Sequence, residues 1–222
     1  PAAAWLRGHA MKTGTPEIDS ELLEMPLEVL TDEELSSIVE IGERTGQKLY
    51  PFKTGKAELP RVRQVLGFLH AVEFETLLDV GSGRGVFLLP FMEEFPNVQV
   101  TSLDLLDKRV TFLNELAAGG YSQLTAYNKN ICDQPFPENS FDVVTLLEVL
   151  EHIPDVAAAV KAAVRLARRY VVVTVPSKPD NNPEHIHLLT KDILTNLFTQ
   201  CGCTHLQFDG VNGHLFLAAR KE

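Results

Sequence analysis

Two groups of residues in this 222-residue chain have types and spacings suited to chemistry. The first is Asp79 with Gly81, Ser82, Gly83 and Gly85, in the run Leu77-Leu78-Asp79-Val80-Gly81-Ser82-Gly83-Arg84-Gly85, followed at a distance by Asp104. Glycines in such a turn bring backbone N–H groups close to a ligand because no Cβ intervenes. A carboxylate at a strand tip accepts two hydrogen bonds from a ribose diol, although Asp104 taken alone equally fits a helix cap. Together these residues describe a nucleotide-type pocket. The second group is Glu148, Glu151 and His152, with His185 and His187 further on. Acids and imidazoles so placed can move protons or, as four donors, hold a divalent metal. Glu151-His152 ahead of Pro154-Asp155 also fits simple support of a loop.

Positioning these residues requires strands that end where they begin. Leu77, Leu78 and Val80 form a buried strand too short for a helix, and the glycine turn should open into a helix whose positive end faces the ligand. From Thr76 onward strand and helix patterns alternate, the mark of a mostly parallel sheet covered on both faces. Strands are predicted at 76–80, 98–103, 122–127, 141–147, 169–175, 203–209 and 213–219, and helices at 84–95, 107–118, 155–167 and 190–200. The turn cluster Asp209-Gly210-Val211-Asn212-Gly213 predicts an antiparallel hairpin at the end. Before the sheet, residues 1–30 show weak periodicity and several prolines and read as a loosely ordered arm. Thr31 and Glu34 form a capping box for a helix ending near Gly42 to Gly46. A loop follows over Tyr50 to Lys56, and Pro60 opens a second helix ending near His70. The fold class is therefore α/β: a seven-stranded, doubly wound, Rossmann-like sheet with a C-terminal antiparallel hairpin. An N-terminal arm and helical cap occupies residues 1–70, and the cofactor-binding domain residues 71–222.

Composition narrows the function. The net charge of −10 argues against a general nucleic-acid binder, because phosphate contacts need clustered Lys and Arg. The charge is uneven: residues 1–41 carry nine acids against Arg7 and Lys12, whereas Arg44, Lys48, Lys53, Lys56, Arg61 and Arg63 follow with only Glu43 and Glu58 in opposition. That basic stretch, with Tyr50 and Phe52, reads as a lid for an anionic substrate, against the plainer reading of a solvated surface. No apolar run reaches the length of a membrane span. Cys132, Cys201 and Cys203 make an odd set without framework spacing, which favours a reduced, cytoplasmic location. Cys201-Gly202-Cys203 reads as two small thiols at a helix-to-strand junction rather than a metal pair.

From Leu77 to the C-terminus the sequence resembles the class I S-adenosylmethionine-dependent methyltransferases, in particular the methyltransferase type 11 group. Leu78 to Gly85 is similar to the motif that cradles the methionine part of that cofactor. The resemblance implies that Asp104 binds the ribose with Leu105 beside the adenine, and that Asp133, flanked by Ile131 and Cys132, meets the adenine amino group. Phe141 to Glu148 resembles the fourth strand, whose end, at Leu146 and beyond, touches the amino-acid moiety. Glu148 to Asp155 resembles the loop that follows it. Implied with these are S-adenosyl-L-methionine as cofactor and catalytic roles for Glu148, His152 and His185: a histidine as base or substrate orienter, Glu148 holding substrate or the methionine amine. The acceptor is expected to be a small molecule, with O, N or C as the accepting atom, and no metal is assigned. A second resemblance is to small-RNA 3′-terminal ribose 2′-O-methyltransferases, in which two acids and two histidines hold a metal; Glu148, Glu151, His152 and His185 would be that set. The chain lacks that family's aromatic-rich later segment. A third reading, a non-catalytic cofactor-binding scaffold, sits poorly with intact glycines and both cofactor acids.

Overall fold

The computed structural model describes residues 1–52, 59–179 and 181–222. Seven strands, β1 (Thr76–Val80), β2 (Gln99–Asp104), β3 (Leu124–Asn128), β4 (Phe141–Leu147), β5 (Ala167–Pro176), β6 (Cys203–Val211) and β7 (His214–Lys221), form one sheet in the order β3-β2-β1-β4-β5-β7-β6. Strands β1 to β5 run parallel; β7 is antiparallel to both β5 and β6. The expected hairpin turns at Asn212 and Gly213, both with positive φ (44° and 84°), the backbone that a tight two-residue connection demands.

Alternate side chains point to opposite faces of a strand. Leu77, Val143 and Val172 thus enter one core, Leu78, Val144 and Val173 the other. The first core is covered by α1 (Ala2–Thr13), α3 (Asp32–Arg44), α4 (Pro60–His70), α5 (Leu88–Glu94) and α6 (Asp107–Ala118), and the second by α7 (Val156–Leu166) and α8 (Lys191–Gln200). A short helix, α2 (Ser20–Glu24), links the first two N-terminal helices. The strand order reverses between β1 and β4, and in open sheets of this kind ligands bind outside the carboxyl ends of the strands at that point.

Three local expectations are corrected. Residues 1–30 are not a loose arm: α1 lies on α6, with Ala4 and Leu6 fully buried. The approach is backbone to backbone, since a Cβ on Gly8 would sit 1.7 Å from the Glu115 carbonyl oxygen and one on Gly119 1.7 Å from that of Ala4. Buried Arg7 then ties down the following segment by donating to the carbonyls of Leu22, Leu23, Met25 and Gly119. The helix after the glycine turn starts at Leu88 rather than 84, because Gly85 is left-handed (φ 70°) and Pro90, which lacks an N–H, is tolerated only in a first turn. The fifth strand, expected from 169, starts at Ala167 and takes in Arg168, which pairs with Asp142 at 2.7 Å. The capping box at Thr31 is present, with reciprocal bonds of 2.8 Å and 3.2 Å to Glu34.

Candidate active site

The carboxyl ends of β1, β2 and β4 bring Asp79, the glycine turn, Asp104 and Glu148 to the switch point. Register places Asp79 on β1 directly across from Thr145 on β4, and the Thr145 hydroxyl donates to Asp79 Oδ1 at 2.6 Å. Asp79 is only 3% exposed. Burial pushes its carboxyl up to about 6, tempered by hydrogen bonds from Ser82 and Thr145 and raised further by the charge of Asp104. The turn is braced from below by Ser82 Oγ, 2.7 Å from Ser102 Oγ.

Asp104 ends β2. Its Oδ2 accepts the Gly83 N–H at 3.0 Å, its Oδ1 the Leu106 N–H at 2.9 Å, and Arg109 Nη1 stands 3.5 Å from Oδ2. One carboxylate thereby joins the glycine turn to the start of α6. A carboxylate has about four lone-pair sites, so acceptor capacity is left over. A Cβ built on Gly83 would meet no atom closer than 3.8 Å: the space beside this glycine belongs to the cleft.

Two clefts meet here. One, of about 720 Å³, is lined by Gly81, Asp104, Leu105, Ile131, Glu148 and His152, among others. Leu105 is 66% exposed, an apolar side chain laid open along this cleft. The other, of about 150 Å³, is bounded by Asp79, Gly81, Ser82, Gly83, Glu148 and the guanidinium-bearing Arg61 and Arg84. Of the predicted cofactor residues, Gly85, Cys132, Asp133 and Leu146 line neither. Leu146 is fully buried in the core, and its neighbour Leu147 reaches the small cleft instead. Asp133 is exposed, and the far wall is made by Lys129, Asn130 and Ile131.

Glu148 takes up a left-handed backbone (φ 57°) as the chain leaves β4, its N–H bound to the Thr174 carbonyl at 2.8 Å. Its Oε2 is 3.0 Å from His214 Nδ1, a partner no local sequence signal revealed because it arrives from β7. The proposed four-donor set does not close. Glu151, His152 and His185 bring donor atoms within 4.8 Å of one another, while Glu148 is outside that group. His152 Nδ1 lies 2.9 Å from the Glu184 carbonyl; a carbonyl only accepts, so Nδ1 is the donor. His185 stacks edge-on against His152 at 4.8 Å and lines neither cleft. His187 Nε2 is taken up by the Ile153 and Pro154 carbonyls, at 3.1 Å and 3.3 Å.

Of the expected basic lid, Lys53 and Lys56 lie outside the described residues. Arg61 reaches the small cleft, and Arg44, Lys48 and Arg63 are surface residues. Tyr50 receives a hydrogen bond from Arg84, whose guanidinium lies 5.0 Å from the Tyr50 ring centre. Phe52 packs on Trp5 and Phe112.

Residues 78–173 match the family model described as a methyltransferase domain. The matched stretch runs from within β1 to within β5 and holds the glycine turn, Asp104 and Glu148. A ribosomal RNA small subunit methyltransferase G of Levilactobacillus brevis is 60% identical over 43 residues, 19% of this chain and 18% of that protein. A ubiquinone biosynthesis O-methyltransferase of Alkalilimnicola ehrlichii is 34% identical over 113 residues, 50% of this chain and 43% of that one. The chain thus spans less than half the length of these curated relatives. Among solved structures, a SAM-dependent methyltransferase from Aquifex aeolicus superposes with a TM-score of 0.61 at 18% identity, over 77% of this chain and 94% of that one. Magnesium protoporphyrin IX methyltransferase from Synechocystis, with bound SAM, gives 0.58 at 19% identity, over 73% of this chain and 78% of that one. No described helix is long and apolar enough to cross a membrane.

Proposed function

We propose that this protein transfers a methyl group from S-adenosylmethionine to a small-molecule acceptor. One observation carries the reading: two strand-tip acids, Asp79 and Asp104, flank a glycine turn whose central residue, Gly83, opens onto cleft space where a side chain would stand. That cradle fits the cofactor. Asp104 would hold the ribose hydroxyls, Ile131 and the exposed Leu105 the adenine faces, and Asp79 the methionine ammonium, for which a nearly buried carboxylate is a strong counter-charge. Arg61 and Arg84 give the small cleft a positive mouth suited to a carboxylate or an anionic acceptor. The bound cofactor supplies an activated methyl on a sulfonium. The protein then has to align acceptor, methyl and sulfur and exclude water, and to remove a proton where the acceptor carries one. Glu148, at the joint of the two clefts, and His152, on the wall of the larger, are placed for that task. His185 lines neither cleft and in this reading supports His152. The ribosomal RNA methyltransferases among the relatives support a nucleic-acid acceptor instead, but their similarity covers about a third of this chain or less, and the net charge of −10 favours the small molecule. A cytoplasmic location belongs to the same reading. Calorimetric titration with S-adenosylhomocysteine tests it. The wild type is expected to bind and Gly83→Val to lose binding, because the branched side chain fills the cradle. Retained binding by a correctly folded Gly83→Val protein overturns the assignment.

A further inference from the structure

A third cleft, of about 670 Å³, shares no lining residue with the two at the glycine turn. Helix α4 stands between it and the small cleft. Residues three and four apart share a face of a helix. Gln64, Gly67 and Phe68, with Ala71 just beyond the last turn, therefore border this groove, while Arg61, Val62 and Val65 border the small cleft. The outer strands supply the rest. Alternate residues share a face of a strand, and register sets them in rows: Tyr170 of β5, Arg220 of β7 and His205 of β6, then Ala218 and Gln207, then Phe216 and Asp209.

The Asp209 end is tied shut. Gln64 donates its amide to Asp209 Oδ2 at 2.7 Å, and the Gly210 N–H donates to Oδ1 at 2.7 Å, so both carboxylate oxygens are engaged. The middle is roomy because little side chain enters it: Ala218 lies beneath, and a Cβ built on Gly67 would meet no atom within 4 Å. Glycine inside a helix costs stability relative to alanine, and no close approach at Gly67 calls for one. Phe68 meets Tyr170 edge-on with ring centres 5.5 Å apart and leans on Phe216 at 5.9 Å. Around this end Arg169, 6.0 Å from the Tyr170 ring centre, donates to the Glu73 carbonyl, and His205 Nδ1 lies 3.2 Å from the Thr204 hydroxyl. Arg220, exposed beside Tyr170, has no hydrogen-bond or ion-pair partner among the described residues.

We propose that this groove is a second ligand site and that it takes a flat aromatic acid. Its volume falls within the roughly 300–1,000 Å³ of small-molecule sites, which combine apolar and aromatic walls with a few polar groups. The ring system lies over Ala218 against Phe68 and Tyr170, where ring-on-ring packing adds to the burial of area. The anionic group pairs with the Arg220 guanidinium, whose planar fork of donors matches a carboxylate in two hydrogen bonds. Charge selects an acid over an amine: Asp209, the one acid lining the groove, has both oxygens engaged, whereas the Arg220 charge is unanswered. The proposal is independent of the methyltransferase reading.

Calorimetric titration of the full chain with 2-naphthoate, its uncharged analogue 2-naphthamide, and octanoate tests it. 2-Naphthoate is expected to bind equally well with and without saturating S-adenosylhomocysteine. The amide should bind about 10-fold more weakly, the scale of one charge-assisted hydrogen bond, and octanoate, which has the charge but no ring, should also bind more weakly. Arg220→Gln is expected to weaken 2-naphthoate about 10-fold and leave the amide unchanged. Gly67→Leu projects a side chain into the open groove and suits a helix better than glycine, so it should melt no lower than wild type and lose binding. The proposal is overturned if millimolar 2-naphthoate does not bind, if S-adenosylhomocysteine displaces it, or if the amide or octanoate binds as tightly. Undiminished 2-naphthoate binding in Arg220→Gln or in a folded Gly67→Leu protein overturns it as well. Failure of S-adenosylhomocysteine to bind the wild type overturns the methyltransferase reading instead, and the two variants still decide this one.

Discussion

Replacing Asp79 by asparagine is expected to stabilise the cofactor-free protein at neutral pH while weakening its hold on the cofactor. The Asp79 side chain is nearly out of solvent, and burial, the largest influence on it, lifts its carboxyl from 3.8 to about 6. The folded state therefore keeps a proton that the unfolded chain has already released. Stability from this group is fully present below 3.8 and is lost as the pH rises through 6. At 1.36 kcal/mol per unit the cost of the ionised form above pH 7 is about 3 kcal/mol, of which about 2 kcal/mol develops between pH 4.5 and pH 8. Asparagine keeps an oxygen for the 2.6 Å bond from Thr145 and has no charge to bury. Urea denaturation of both proteins at about pH 4.5 and about pH 8 reads the difference, because the remaining titrating groups cancel between them. Stability of the variant relative to wild type should rise by about 2 kcal/mol across that interval. A difference independent of pH would refute the reasoning, since it would mean that Asp79 is already ionised without penalty. In calorimetry with S-adenosylmethionine the same variant should bind more weakly, having lost the counter-charge for the ammonium.

Asp104→Ala should weaken S-adenosylhomocysteine by roughly 1–3 kcal/mol through lost charge-assisted bonds; it should also lower the melting temperature slightly, because the carboxylate holds the Gly83 and Leu106 N–H groups. Gly8→Val places a Cβ where 1.7 Å separates it from the Glu115 carbonyl oxygen. It should force α1 off α6 and cost roughly 1–3 kcal/mol or more of stability, measured by the urea midpoint, as overpacked cores do. Treatment with EDTA should leave methyl transfer unchanged, because Glu148 is engaged by His214 and stands apart from Glu151, His152 and His185; activity lost to the chelator and restored by manganese would contradict this.

What could be read from the sequence is what local patterns encode. The parallel strands announced themselves through short apolar runs, the capping box at Thr31 through its spacing, and the hairpin through Asn212-Gly213. The glycine turn and Asp104 were legible because backbone conformation and a strand-tip acid are local matters. Helix α1 was not, since it is buried on most sides by α6 and by the segment Arg7 ties down, and so lacks the one-sided apolar stripe by which surface helices are recognised. The pairings of Thr145 with Asp79 and His214 with Glu148 join residues 66 apart in both cases and depend on register. Leu146 and Asp133 lie off the clefts: strand alternation sends Leu146 to the core and Leu147 to the cleft, and the Ile131–Asp133 turn leaves its acid facing solvent.

The crossing of α1 and α6 bears on how this chain can be cut. The portion that matches the methyltransferase domain, residues 78–173, includes Leu113 and Leu116 of α6, which are fully buried and share one apolar cluster with Ala4 and Leu6 of α1. An excised fragment limited to that portion would expose this patch to water and to other copies of itself. The matched block and the smallest piece fit for handling in isolation therefore have different borders, and the second extends back to the helix that begins at Ala2.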